Sequence, residues 1–147
     1  MAGEDGALLI QNIGGVRSDD HSFNPDLKLK DPMDYGLVGL FHTHPYDEGY
    51  TGISLSGQDA GHLINVEASF SLVQSGGAQF LMLRTRASPR HADPPFQNSL
   101  QNVRMAQLEA SGMSFSAASS MAARETAKRL GLAYYEGSHG TLKRIYP

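Results

Sequence analysis

The stretch Phe41-His42-Thr43-His44-Pro45 constrains the fold more than any other, because it places two histidines at the end of an apolar run. Residues 35–41 are mostly apolar, as expected of a buried strand. Side chains on a strand alternate with a period of two, so His42 and His44 point to the same face. Pro45 cannot donate a hydrogen bond to a sheet and ends the strand. The sequence therefore predicts a strand that delivers two imidazoles to a cleft.

A carboxylate follows the histidines in the segment Ser56-Gly57-Gln58-Asp59, which opens an apolar-periodic stretch. Ser56 is a suitable N-cap, and Asp59 then falls in the first helical turn, where a negative charge is favoured. We expect Asp59 to face back towards the histidines. Two imidazoles and one carboxylate leave one position of a tetrahedral zinc site open, which is the usual arrangement of a catalytic centre. The sequence therefore predicts zinc bound by His42, His44 and Asp59.

Together, His42-Thr43-His44-Pro45 and Ser56-Gly57-Gln58-Asp59 resemble the signature of the JAMM (JAB/MPN) zinc metalloprotease superfamily, in its bacterial form. The resemblance implies an α/β (α+β) fold of the JAMM/MPN-like, cytidine deaminase-like type, with a mixed central sheet flanked by helices. We expect a single domain over residues 1–147. Within it, the resemblance covers a motif core over residues 1–86, and a helical part follows over residues 96–147.

The resemblance also implies roles for individual residues. His42, His44 and Asp59 would bind Zn²⁺, and the Ser56 hydroxyl would stabilise the oxyanion. The family uses a glutamate on an earlier strand as general base. Glu4 is the expected base here, because it lies upstream of the histidines and leads directly into an apolar segment.

Other residues depart from the family pattern or are alternatives to Glu4 as the general base. Asp5 follows Glu4 where bacterial members often carry an aromatic residue, which is a departure from the family pattern. Glu48, in the loop after the histidines, and Glu67 are the alternative bases. Glu67 lies roughly two turns beyond the aspartate ligand and is expected to be a surface acid. His62 shares the helix face of that aspartate, and we expect it to be a core histidine or to support the ligands from behind.

The expected activity is zinc-dependent hydrolysis of a peptide or isopeptide bond in a protein or peptide substrate. Two other classes stay open: a metal-dependent nuclease or other hydrolase effector on the same scaffold, and a non-catalytic MPN-like binding module. The intact ligand set argues against the binding module. A net charge of −3 with scattered basic residues argues against nucleic acid as the substrate.

The position of Glu4 also bears on biological context. JAMM domains commonly place a strand and a helix before the glutamate, whereas Glu4 is near the start of this sequence. This predicts either a terminal effector or toxin domain of a larger bacterial protein, cytoplasmic or delivered, or a chain that needs an immunity or partner protein over its N-terminal edge. The alternative is that the helices over residues 97–130 cover that side of the sheet. No apolar run reaches membrane-spanning length, so no membrane partner is expected. The absence of cysteine excludes disulfides and thiolate metal ligands.

The remaining segments predict a mixed α and β chain. Residues 17–32 are polar and predict an insertion beside the cleft. The expected strands and helices have the following ranges: strands over 7–10, 68–73, 78–84 and 141–146, and helices over 97–109 and 117–130. The turn Ser75-Gly76-Gly77 predicts a hairpin, and Gly131 is the expected C-terminal cap of the last helix. The first of these helices is expected to carry Leu100, Val103 and Ala106 on one face.

Overall fold

The computed structural model describes residues 38–44 and 52–147 with their side chains. It also describes the backbone pairing of four short strands. Strand β1 (Ala2–Gly3) pairs with β4 (Tyr35–Gly36), and β2 (Gly15–Ser18) pairs with β3 (Phe23–Pro25), both antiparallel. The strands β2 and β3 overlap the predicted polar insertion, which therefore contains a β pair. The expected strand over residues 7–10 lies outside the described residues.

A five-stranded sheet forms the centre of the described chain. Its strands are β5 (Gly39–Thr43), β6 (Phe70–Ser75), β7 (Ala78–Leu83), β8 (Ala133–Ser138) and β9 (Thr141–Tyr146), in that spatial order. Strands β5 and β6 are parallel, and every later pair is antiparallel. Three helices accompany the sheet: α1 (Gly57–Asn65), α2 (Pro94–Ala110) and α3 (Phe115–Arg129). The chain is thus mixed α and β with a mixed sheet, as the sequence predicted at this level.

The strand that carries the histidines differs from the buried strand predicted over residues 35–41. Strand β5 begins at Gly39, and the Phe41 side chain is 60% exposed. Leu40, His42 and His44 are half-buried, whereas Phe41 and Thr43 are exposed. Within the described residues β5 pairs only with β6, and it stands first in the strand order of the described sheet. An apolar run does not distinguish a buried strand from a strand with one exposed face, and this is why the prediction was wrong.

Helix α1 connects the parallel strands β5 and β6 and begins where the sequence predicted. Ser56 is the N-cap, and its hydroxyl accepts a hydrogen bond from the Asp59 backbone N–H. Leu63 and Ile64 are fully buried in the main core. Gly61 faces α2 so closely that a Cβ atom there would lie 2.7 Å from the Pro94 Cα atom. The glycine therefore permits the approach of the two helices.

The hairpin predicted from Ser75-Gly76-Gly77 is confirmed. Strands β6 and β7 pair antiparallel from Phe70 opposite Leu83 to Ser75 opposite Ala78. Gly76 has a φ of +60°, which is the left-handed conformation required at the first central position of a tight hairpin turn.

The helix predicted over residues 97–109 is confirmed, but its start and its buried face differ. Helix α2 begins at Pro94, after the N-cap Asp93, because proline is well suited to the first helical turn. Leu100, Val103 and Ala106 are exposed. The buried residues of this helix are Gln97, Gln101 and Leu108.

The buried face of α2 is polar because its amides have partners. Gln101 donates to the Leu55 carbonyl at 2.9 Å and accepts from the Thr126 hydroxyl at 2.8 Å. Gln97 accepts a hydrogen bond from the Arg129 guanidinium at 2.9 Å. Amide groups that have hydrogen-bond partners can be buried without a large cost in free energy. A prediction based on apolar periodicity therefore assigned the wrong face of this helix to the core.

Helix α3 and the last two strands complete the fold. Gly131 follows the α3 C-cap with a φ of +61°, and the Leu132 N–H donates to the Ala127 carbonyl, which confirms the predicted glycine cap. Strand β9 agrees with the strand predicted over residues 141–146, whereas β8 was not predicted as a strand. Tyr134 in β8 is fully buried in the main core. Among the described residues, no helix has the length and apolar composition needed to cross a bilayer.

Candidate metal centre

Three side chains from two connected elements meet at the end of β5. His42 lies in β5, His44 lies one residue beyond its last residue, and Asp59 lies in the first turn of α1. The His44 N–H still donates to the Gln74 carbonyl at 2.9 Å, so β6 holds the backbone of this residue in place. Residues 44–56 connect β5 to α1. In a parallel strand–helix–strand unit the start of the helix lies near the carboxyl end of the first strand. The order of the strand and the helix in the fold therefore brings the two imidazoles and the carboxylate together.

The distances between the three groups fit a metal site. The Nε2 atoms of His42 and His44 are 3.1 Å apart. The Nε2 atom of His42 lies 3.3 Å from Oδ1 of Asp59, and that of His44 lies 3.6 Å from Oδ2. In a tetrahedral zinc site with bonds of about 2.0–2.1 Å, ligand atoms are separated by roughly 3.3–3.4 Å. These three residues could therefore hold a metal ion with little movement, as the sequence predicted.

The side chain of Asp59 is oriented by Ser56. Its Oδ2 atom accepts hydrogen bonds from the Ser56 backbone N–H at 2.7 Å and from the Ser56 hydroxyl at 2.8 Å. The same hydroxyl accepts from the Asp59 N–H at 3.1 Å, which completes a capping box. Oδ2 receives both Ser56 donors, so Oδ1, which lies 3.3 Å from Nε2 of His42, is the oxygen better placed to bind a cation.

The imidazole of His44 is oriented from behind by the chain that leads into α1. Its Nδ1 atom lies 3.1 Å from the Ile53 carbonyl, so this nitrogen carries the proton and donates. The other ring nitrogen, Nε2, lies on the side of Asp59, where it would offer its lone pair to a metal ion. The Ile53 N–H in turn donates to the Ser75 hydroxyl at 2.9 Å. This hydrogen bonding fixes the ring in the tautomer that a metal ligand requires.

The charges of the cluster are strongly coupled. Burial raises the pKa of Asp59, but hydrogen bonds from His42 and His44 and their charges together lower it more, so the pKa lies well below its ordinary value. Burial lowers the pKa of His44, but the hydrogen bond and the negative charge of Asp59 raise it above its ordinary value. Without a metal, a proton on the His44 imidazole balances the carboxylate. A metal ion would replace that proton.

Of the other four candidate residues, the structure describes two. Glu4 and Glu48 lie outside the described residues. Glu67 is exposed just beyond α1, as predicted for a surface acid. His62 is also exposed, so the expectation of a core or supporting histidine was wrong. The α1 face that holds Asp59 over the histidines does not extend to the position of His62.

Sequence reasoning missed a polar network beside the centre. The Ser54 hydroxyl lies 2.6 Å from the Tyr134 hydroxyl, which donates to Glu136 at 2.7 Å. The Ser120 hydroxyl also donates to Glu136. These residues come from the loop before α1, from α3 and from β8. To predict the network from the sequence, one would first have had to predict β8 as a strand.

Comparisons of the whole chain with protein-family models, with curated proteins and with solved structures find no match. The geometry of the centre and the sequence motifs that build it are therefore the features that bear on function.

Proposed function

We propose that this chain is a zinc-dependent hydrolase of the JAMM type that cleaves peptide or isopeptide bonds. The observation that supports the proposal best is the convergence of His42, His44 and Asp59 at separations that suit a tetrahedral cation. The donor set is chemically consistent, because two imidazoles and one carboxylate are common ligands of catalytic zinc. The motif resemblance supports the family, and the mixed sheet is compatible with it.

The ligand set has consequences for the chemistry of the centre. One carboxylate and two neutral imidazoles would offset only one of the two charges of Zn²⁺. A zinc ion in such a site supplies a Lewis acid and lowers the pKa of the water that it binds. The side chains of His42, His44 and Asp59 are 15–20% exposed, so small molecules can reach the centre from solvent.

The chain's own residues would then move the protons. We assign proton transfer to Glu4, which would accept a proton from the attacking water and return it to the leaving amine. Ser56 would hold Asp59 and, when the substrate binds, its hydroxyl would turn its single proton from Oδ2 to the oxyanion while its backbone N–H keeps the hydrogen bond to Oδ2. The first of these contacts is seen in the capping box.

Metal binding and hydrolysis test this function together. Purified chain should bind about one zinc per molecule in elemental analysis, by the three-ligand arrangement of catalytic sites. It should cleave members of a panel of fluorogenic peptides and lysine isopeptides. The variant carrying His42→Ala and His44→Ala should lose both properties, and Glu4→Gln should lose hydrolysis alone. His91→Ala is the matched control, because His91 is exposed in a loop. Full zinc retention by the double variant would contradict the assignment of the centre.

A further inference from the structure

A second feature of the described chain is an open groove of about 510 Å³ between α3 and the sheet. Its volume lies within the range of small-molecule and side-chain binding sites. It is lined by residues of the loop before α1, of α3 and of strands β7, β8 and β9: Gly52, Ala78, Phe80, Ser116, Ala117, Ser120, Glu136, Gly137, Lys143 and Ile145. The metal ligands do not line it.

Glu136 is held rigidly in this groove. Its Oε1 atom accepts hydrogen bonds from the Tyr134 hydroxyl, at 2.7 Å, and from the Ser120 hydroxyl. Burial raises the pKa of Tyr134 and the charge of Glu136 raises it further, so the phenol stays protonated and remains a donor. The Oε2 atom has no hydrogen-bond partner among the residues that the structure describes. One carboxylate oxygen is thus fixed, and the other is available to a ligand.

The charge of Glu136 is not neutralised within the groove. Lys143 lies directly opposite on β9, but it is exposed and forms no ion pair with Glu136 in the described part of the chain. The surrounding walls are largely apolar, with Phe80 and Ile145 among them. A half-buried carboxylate beside apolar walls attracts a cation that can pair with it, and a ligand with an aliphatic stem would also cover the walls.

The groove adjoins the metal centre through one short segment. Gly52 lines the groove, and the next residue, Ile53, contacts His44 through its carbonyl at 3.1 Å. Consecutive Cα atoms are about 3.8 Å apart, so the two sites share adjacent residues. Ser54 then joins the Tyr134 and Glu136 network at 2.6 Å. Register across the sheet also connects the two sites, because His42 pairs with Val73, Val73 with Phe80, and Phe80 with Glu136. Paired residues point to the same face of a sheet, so a peptide bound at the metal centre could place a neighbouring side chain in the groove.

We propose that this groove binds a basic side chain of the substrate, an ammonium or guanidinium group on an aliphatic stem, with Glu136 as its anionic partner. As a statement about substrate choice, this inference rests on the proposed function. As a statement about cation binding, it can be tested without metal or hydrolysis.

The binding experiment uses metal-free protein and small probes. N-acetyl-arginine amide and N-acetyl-lysine amide are titrated while the backbone amide signals of Gly52, Ala117 and Gly137 are followed by NMR. N-acetyl-citrulline amide is the neutral isostere of the arginine probe. We expect the charged probes to bind about tenfold more tightly than citrulline, the usual effect of one charge-assisted hydrogen bond. Equal affinity for the arginine and citrulline probes would overturn the proposal.

Two variants with opposite expected effects keep this test decisive. Glu136→Gln should reduce the affinity for the arginine probe to that for citrulline. Lys143→Met should tighten binding of the arginine probe, because it removes a positive charge and leaves the Glu136 hydrogen bonds intact. Glu109→Gln, an exposed acid at the end of α2, is the matched control and should change nothing. Unchanged affinity in Lys143→Met would count against the proposal even if Glu136→Gln failed to fold.

A hydrolysis experiment tests the substrate role separately. The zinc-loaded protein should show a higher kcat/KM for peptides with arginine near the cleaved bond than for matched citrulline peptides. Glu136→Gln should bring that ratio towards one, whereas Glu109→Gln should preserve it. A ratio near one in the unmodified protein would reject the substrate role. The double variant at His42 and His44 should still bind the arginine probe, so failure of the metal centre and failure of the groove give different results.

Discussion

At the scale of single residues, Asp59 serves both the fold and the metal centre. Its Oδ2 atom takes part in the capping box that starts α1, and its Oδ1 atom faces His42. In the absence of substrate, Ser56 therefore acts on the centre through Asp59. Any change that loosens the cap should also loosen the geometry of the metal ligands.

Ser56→Ala separates these contributions. The variant removes the hydroxyl that donates to Oδ2 and accepts from the Asp59 N–H, but it keeps the backbone N–H contact. We expect a loss of about 1 kcal/mol of stability, as for other N-cap serines, and a zinc affinity lower by about tenfold to 100-fold. Denaturant unfolding and competition with a chelating dye measure the two effects.

A matched control exists in the same chain. Ser114 is the N-cap of α3, with a hydroxyl that accepts from the Ala117 N–H at 3.4 Å. Ser114→Ala should also reduce stability but should leave zinc affinity unchanged. A similar loss of zinc affinity in both variants would show that general destabilisation, and not the position of Asp59, governs metal binding.

Local motifs explain why the convergence of His42, His44 and Asp59 could be predicted from sequence. The histidines needed only strand alternation, and Asp59 needed only a helix start after Ser56. Glu136 could not be found in this way, because its surroundings depend on β8 pairing with β7 and on contacts with Ser120 in α3. Such contacts join residues that are distant in sequence and leave no local periodicity.

At the scale of elements, the geometry of the centre depends on how α1 packs against its neighbours. The helix carries Asp59 at its first turn and packs against α2 through Gly61, which is buried. Sequence reasoning identified both helices but misjudged the buried face of α2. Its buried glutamines satisfy their amides with Leu55, Thr126 and Arg129, partners that only the folded chain brings near.

Gly61→Ala tests the importance of the contact between α1 and α2. Alanine favours a helix over glycine by about 1 kcal/mol, whereas overpacking a tight interface costs about 1–3 kcal/mol. A Cβ atom would lie 2.7 Å from the Pro94 backbone, so we expect the clash to prevail and stability to fall in denaturant unfolding. Gly77→Ala is the control, because a Cβ atom there would have no neighbour within 4 Å. A more stable Gly61→Ala protein would show that α2 moves away without cost.

At the scale of the whole molecule, protons and a metal ion would compete for the same three side chains. The pKa of His44 is raised by Asp59, and the pKa of Asp59 is lowered by both histidines. A raised histidine pKa stabilises the metal-free fold below the unfolded value of about 6.5, and this stability is lost as pH rises through the folded value. A lowered aspartate pKa contributes above about 4 and is lost as pH falls towards the folded value. The metal-free cluster is therefore most stabilising in mildly acidic solution.

Zinc should reverse this dependence on pH, because it binds deprotonated imidazoles and so gains affinity as protons leave. We expect the Tm of metal-free protein to fall between about pH 6 and pH 8, the range above the ordinary histidine pKa, and the increase in Tm caused by zinc to grow over the same range. Thermal unfolding in chelator and in excess zinc measures both. The double variant His42→Ala, His44→Ala should show no zinc-dependent increase at any pH. An increase that shrinks as pH rises would mean that zinc stabilises the protein at some place other than His42, His44 and Asp59.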